Sequence, residues 1–150
     1  MSSFIQRVKD FDHWFIDRLN RSSLTLLRFS LAIIFIWFGA LKPFGQSPAV
    51  ELITKTVYWF DPKIFIPILG IWEMLIGICL LFPPLIRIGL GLLALQMPGT
   101  FLPLVLLPDV CFISIPFDLT LEGQYIVKNL VLIGAGLVVG SKLVPLQKQR

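Results

Sequence analysis

The chain is poor in the residues that most enzymes use. Of its 150 residues only two are cysteine and one is histidine, and charged residues make up 15% against about 25% in ordinary soluble domains. Cys79 and Cys111 are expected at different depths, one near the end of a long apolar run and the other in a loop, so a disulfide between them is not predicted. There is no CxxC pair to shuttle thiols, which argues against a thiol oxidoreductase. The lone His13 has no second histidine or nearby cysteine to share a metal ion, and no metal site is predicted. No glycine-rich dinucleotide fingerprint is present, so any electrons have to come from another protein or a diffusible carrier. The net charge of +4 is spread over tails and helix ends without the cluster that phosphate recognition needs, which excludes a nucleic-acid partner.

What the chain has in excess is oil. Hydrophobic residues reach 56% and mean hydropathy is +0.84. This predicts an all-α membrane protein, a single integral-membrane domain over residues 1–150 in contact with the lipid bilayer. Four antiparallel transmembrane helices are expected at about 24–41, 64–82, 86–107 and 123–144. Residues 4–19 place Phe4, Val8, Phe11, Phe15 and Leu19 on one helical face, predicting an N-terminal interfacial amphipathic helix. In the first outer loop Ser47 can cap and Pro48 suits a first helical turn, predicting a short helix that Asp61 and Pro62 end. Tyr58, Trp59 and Phe60 beside it suit the membrane interface. Pro83 and Pro84 close the second span, and the turn to the third is short enough for a hairpin. Pro98 and Pro103 are expected to break and bend the third span, and residues 108–122 to lie back on the membrane as a loop.

The second span, IFIPILGIWEMLIGICLLF, carries one acid at its midpoint. Glu73 lies near the bilayer midplane, where a charged carboxylate costs about 2.5–3.5 kcal/mol on insertion scales, so it is expected to face a partner or a cavity. Gly70 and Gly77 share its face and allow a neighbouring backbone to come close. Two cations compete as its partner. Lys128, near the start of the fourth span, approaches from one side, and Arg28, about a turn inside the first span, approaches from the other or snorkels to the headgroups. Lys42 closes the far end of the first span. Gln96, Thr100 and Asn129 supply further hydrogen bonds to a buried polar centre. Gly136 and Gly140 form a small-xxx-small packing surface on the fourth span.

Lysine and arginine counts set the orientation. Arg7, Lys9, Arg18, Arg21, Arg28, Arg87, Lys142, Lys148 and Arg150 fall on one side and Lys42, Lys55, Lys63 and Lys128 on the other, which predicts both termini in the cytoplasm.

The stretches LRFSLAIIFIWFGALKPF, GIWEMLIGICLLF and EGQYIVKNLVLIGAGL resemble the DoxX-like membrane protein superfamily, in the branch that includes a reactive-chlorine-resistance protein. They carry Arg28, Lys42, Glu73, Lys128 and Asn129; the third span and the loops match less clearly. The resemblance implies a four-helix protein of the bacterial inner membrane associated with redox partners, quinone-linked oxidation or oxidative-stress resistance. Three readings follow. The first is an accessory protein of a redox or oxidative-stress system whose polar centre takes a quinone headgroup or a proton, with no intrinsic cofactor. The second is a structural or assembly subunit, either a homo-oligomer or part of a larger membrane complex, in which the ion cluster only fixes packing. The third is a proton-coupled carrier.

Overall fold

The computed structural model describes residues 2–145, with side chains from residue 5 onward; the Phe4 side chain, Lys148 and Arg150 lie outside it. The chain is an all-α membrane bundle. Four stretches are long and apolar enough to cross a bilayer: Ile5–Leu41, Pro62–Leu81, Pro83–Leu106 and Leu121–Ser141.

The first helix, α1 (Ser2–Leu41), is one continuous 40-residue rod. The amphipathic segment and the first span are therefore not two elements, and the expected break between them is absent. Nothing in residues 20–23 forbids a helix: this stretch contains neither proline nor glycine. Beyond Leu41 the chain stops turning because Pro43 follows and Gly45 adopts a positive φ of 69°.

The next helix, α2 (Val50–Thr56), forms in the loop between the first two spans as expected, but its details differ. Ser47 Oγ accepts from the Ala49 amide at 3.3 Å, making a turn one step before the helix rather than a cap. Asp61 and Pro62 do not end this segment; they start the following one. Asp61 accepts from the Lys63 amide at 2.9 Å, and Pro62 takes the first position of α3 (Pro62–Leu81), where its missing N–H costs nothing.

A single 3-10 turn, Pro83–Leu85, joins α3 to α4 (Ile86–Leu106) as a hairpin. Contrary to expectation, α4 is continuous through Pro98 and Pro103. The Pro103 carbonyl is reused at the helix end, accepting from the Leu107 amide at 2.8 Å and from the Cys111 thiol at 3.5 Å. Residues 108–120 are more ordered than a plain loop. They form α5 (Pro108–Cys111) and a small antiparallel hairpin of β1 (Phe112–Ser114) and β2 (Asp118–Leu119). The last span is α6 (Leu121–Val127) and α7 (Asn129–Ser141), separated at Lys128. Thr120 caps it by accepting from the Gly123 amide at 3.2 Å. Gly123 itself lies so close to the Cys111 carbonyl that a Cβ there has no room.

Packing order follows from the glycines. Gly39 and Ala32 of α1 meet Gly70 and Gly77 of α3, a descending register that makes the pair antiparallel. Gly136 and Gly140 of α7 meet Leu93 and Leu90 of α4, again antiparallel. Leu31, Phe35, Ile76, Leu80, Leu93 and Val139 fill the end of the bundle nearest the Pro83–Leu85 hairpin.

Candidate functional site

The α1 and α3 backbones touch. A Cβ built on Gly39 would lie 2.7 Å from the Gly70 carbonyl oxygen, and one on Gly70 would lie 2.6 Å from the Gly39 carbonyl oxygen. Around this contact the two helices exchange side chains. Glu73 stands over Gly39 and Lys42 stands over Gly70, each three residues on from its own glycine. The glycines thus make room for the stems of the two charged side chains.

This register also sets depth. Leu41, the last residue of α1, lies near the level of Gly70, eight residues inside α3, so α1 ends roughly 12 Å short of the α3 start. Lys42 consequently lies inside the bundle instead of at its rim. It is 7% exposed, and its ammonium pairs with Glu73 Oε2; Glu73 is 8% exposed. The position immediately past a helix C-terminus favours a cation, because the last carbonyls of α1 point toward it. On the other carboxylate oxygen, Gln96 Nε2 of α4 donates to Glu73 Oε1 at 2.8 Å. Three helices therefore converge on one carboxylate.

Neither Arg28 nor Lys128 pairs with Glu73. Arg28 is half-buried, lies over the Phe29 ring at 5.6 Å, and makes no ion pair among the described residues; its Nε is buried without a hydrogen-bond partner. Lys128 is exposed and lines the same cavity as Glu73 without bonding to it. Because α1 stops near the level of Gly70, Arg28 lies further from Glu73, toward the hairpin end, than its distance from the span end suggests. Thr100 and Asn129 also line the cavity but bond elsewhere. Thr100 Oγ1 donates to the Gln96 carbonyl at 3.3 Å, and Asn129 Nδ2 donates to the Tyr125 and Ile126 carbonyls at 3.0 Å.

The cavity has a volume of about 760 Å³, within the range of small-molecule sites. Its wall is mostly apolar, with Phe38, Trp72, Met97 and Leu132 among the lining residues, and α2 closes part of it through Leu52 and Ile53. Only Lys42, Glu73 and Lys128 among the lining residues are charged. Sequence reasoning missed Gly39, which the spacing could have disclosed. Gly39 precedes Lys42 by the same three residues by which Gly70 precedes Glu73.

Gln96 is held in one orientation by the carboxylate, since a flipped amide would set two oxygens against each other. Its Oε1 is then buried without a partner, an unused acceptor on a side chain that lines the cavity. The Lys42 ammonium, with three donors, makes one hydrogen bond among the described residues. Among the described residues no three His, Cys, Asp or Glu side chains gather to hold a metal ion. Outside the spans, burial raises the Cys111 thiol pKa above its usual 9.0, helped by the Glu122 carboxylate, so this thiol stays protonated. No family model, no curated protein and no solved structure matches this chain.

Proposed function

We propose that this protein is a small integral-membrane accessory of a redox or oxidative-stress system that holds a quinone headgroup in the cavity beside Glu73. The observation that carries this reading is the placement of the Lys42, Glu73 and Gln96 network on the wall of an otherwise apolar cavity. A quinone is an oily tail with a polar ring, and its ring oxygens accept hydrogen bonds when oxidised and donate them when reduced. The chain's own groups fit both forms. Lys42 retains donors for a carbonyl, and Gln96 Oε1 is an acceptor awaiting a hydroxyl. When bound, the quinone supplies the electron-carrying chemistry, and the chain binds and orients it. The resemblance to the DoxX-like superfamily supports the same assignment.

In this reading the protein is in the bacterial inner membrane with both termini in the cytoplasm, following the lysine and arginine count. It works as a homo-oligomer or as a subunit of a larger complex. Gentle extraction into lipid nanodiscs tests it. Wild type is expected to carry quinone at close to one per chain, and Glu73→Gln to lose at least tenfold while remaining folded. Gly99→Leu, which adds a side chain to a lining position with open space around it, is expected to lose quinone as well. Wild type purified without quinone overturns the reading.

A second reading has its own observation. The reciprocal Gly39 and Gly70 contact is pinned by the buried pair, so the network also fixes helix register. If Glu73→Gln unfolds the protein, this clamp is its main task.

A further inference from the structure

At 1.5 Å per residue the 40 residues of α1 span about 60 Å, twice the ~30 Å hydrocarbon core. The register fixes which part is surplus. Gly39 lies against Gly70 and Ala32 against Gly77, so the Pro83–Leu85 turn is level with residues 24–26 of α1. Residues 2–23 therefore run straight on past the bundle for roughly 33 Å, and every residue from 5 to 23 is exposed.

This projecting half is not polar all round. Val8, Phe11, Phe15 and Leu19, 47–64% exposed, lie within an arc of roughly 80°, and the Phe11 and Phe15 rings stack 6.1 Å apart. Spacings of three and four residues in so narrow an arc suit the seam of a helix pair, whereas a helix lying in lipid needs a broader face. The two borders of the stripe carry opposite charge. Arg7 and Arg18 edge one side and Asp12 edges the other.

We propose that this stripe is where two copies of the chain pair, as a parallel two-stranded coiled coil standing off the membrane on the hairpin side. Copies inserted the same way in one bilayer hold their projecting helices parallel. In a parallel pair the border before the seam on one helix faces the border after it on the other, five residues further along. Arg7 of each copy thus meets Asp12 of the other, Trp14 covers Leu19, and Arg18 meets the uncharged Ser23. An antiparallel pair would set the arginine border against itself. Where the seam reaches the membrane, Ser22 and Thr25 are small and leave a shallow groove with Arg21, Leu26 and Phe29 on the same side of α1, so the two helices can approach closely. Leu31, Ala32 and Phe35 face the opposite way, into the bundle, so pairing leaves each chain's packing intact. The pair is a homodimer, and it holds whether or not the cavity takes a quinone.

The test uses full-length protein in vesicles of phosphatidylethanolamine and phosphatidylglycerol, oxidised to form disulfides between copies. The native Cys79 and Cys111 are buried. Ser22→Cys lies on the seam, and Asn20→Cys lies at nearly the same depth on the far side of the helix. Ser22→Cys is expected to cross-link roughly fivefold more than Asn20→Cys, and equal yields overturn the seam. Arg7→Glu and Asp12→Arg are each expected to lower the Ser22→Cys yield roughly threefold, and the two together to restore it. Unchanged yields in the single variants, or a double variant no better than they are, overturn the parallel pairing. Fluorescently labelled wild type at low density is expected to bleach in two steps. Bleaching in one step overturns the homodimer and leaves the stripe to lipid or to a different protein.

Discussion

Around Leu31, Ile76, Leu80 and Leu93 the four spans bury their side chains almost completely, whereas around Lys42, Glu73 and Gln96 the same spans enclose about 760 Å³ of space. The difference comes from lengths and not from composition. At the hairpin end all four helices are present and apolar side chains meet. At the α2 end α1 has already stopped, and residues 42–61 fold over the gap without filling it. One helix ending early produces both the room for a ligand and the buried cation that answers the acid. Packing at the hairpin end provides the rigidity that a preformed site needs.

This contrast can be broken most severely at the ion pair. Lys42→Met leaves Glu73 without its cation and is expected to cost about 3–5 kcal/mol, read as a fall in the unfolding midpoint in detergent. The double variant Lys42→Met, Glu73→Leu should recover much of that loss. Additive losses would show that the two side chains do not act as a unit. In the filled half, Leu80→Ala removes a fully buried side chain and is expected to cost about 2–5 kcal/mol without changing quinone content. Loss of quinone at unchanged stability would mean that the two ends are not separate.

At the border between the halves, Gly70→Ala places a methyl group against the Gly39 carbonyl and is expected to cost about 1–3 kcal/mol. Gly140→Ala, whose added Cβ would meet only the end of the Leu90 side chain at 3.3 Å, should cost less in the same assay. If the order is reversed, the α1 and α3 backbones are not in contact. The smallest effect belongs to α2, over the hollow end. Lys55 donates to Glu51 at 2.6 Å and holds its carboxyl below the ordinary value of 4.5. A folded-state pKa that is depressed adds stability above the unfolded value and loses it as pH falls through the folded one. Glu51 should therefore titrate below 4.5 by carbon-detected NMR in wild type and move up to the ordinary range in Lys55→Ala.

Much of the bundle was legible because lipid imposes simple rules on length and hydropathy. The face of α3 that bears Gly70, Glu73 and Gly77 was also legible, since helical periodicity fixes which residues share a side. What periodicity does not give is relative depth. Lys42 follows the last apolar residue of its span and so reads as a rim residue until Gly39 is seen against Gly70. A residue count from the span end cannot show that the early end of α1 carries Arg28 away from Glu73. The cavity was illegible for a related reason: it is bounded by α2, whose docking depends on contacts far away in sequence. The continuity of α4 through Pro98 and Pro103 was not legible, because proline's fixed φ is itself helical and each ring removes only one N–H donor, which a long apolar span can tolerate.

An ammonium and a carboxylate held together carry no net charge, so the voltage across the membrane exerts no net force on the Lys42 and Glu73 pair. Either charge standing alone at that depth would feel the electric field. A full crossing of 100 mV is worth about 2.3 kcal/mol per charge, so a charge partway across feels roughly half of that. The geometry that buries the lysine beside the acid thereby leaves the site indifferent to the energised state of the membrane.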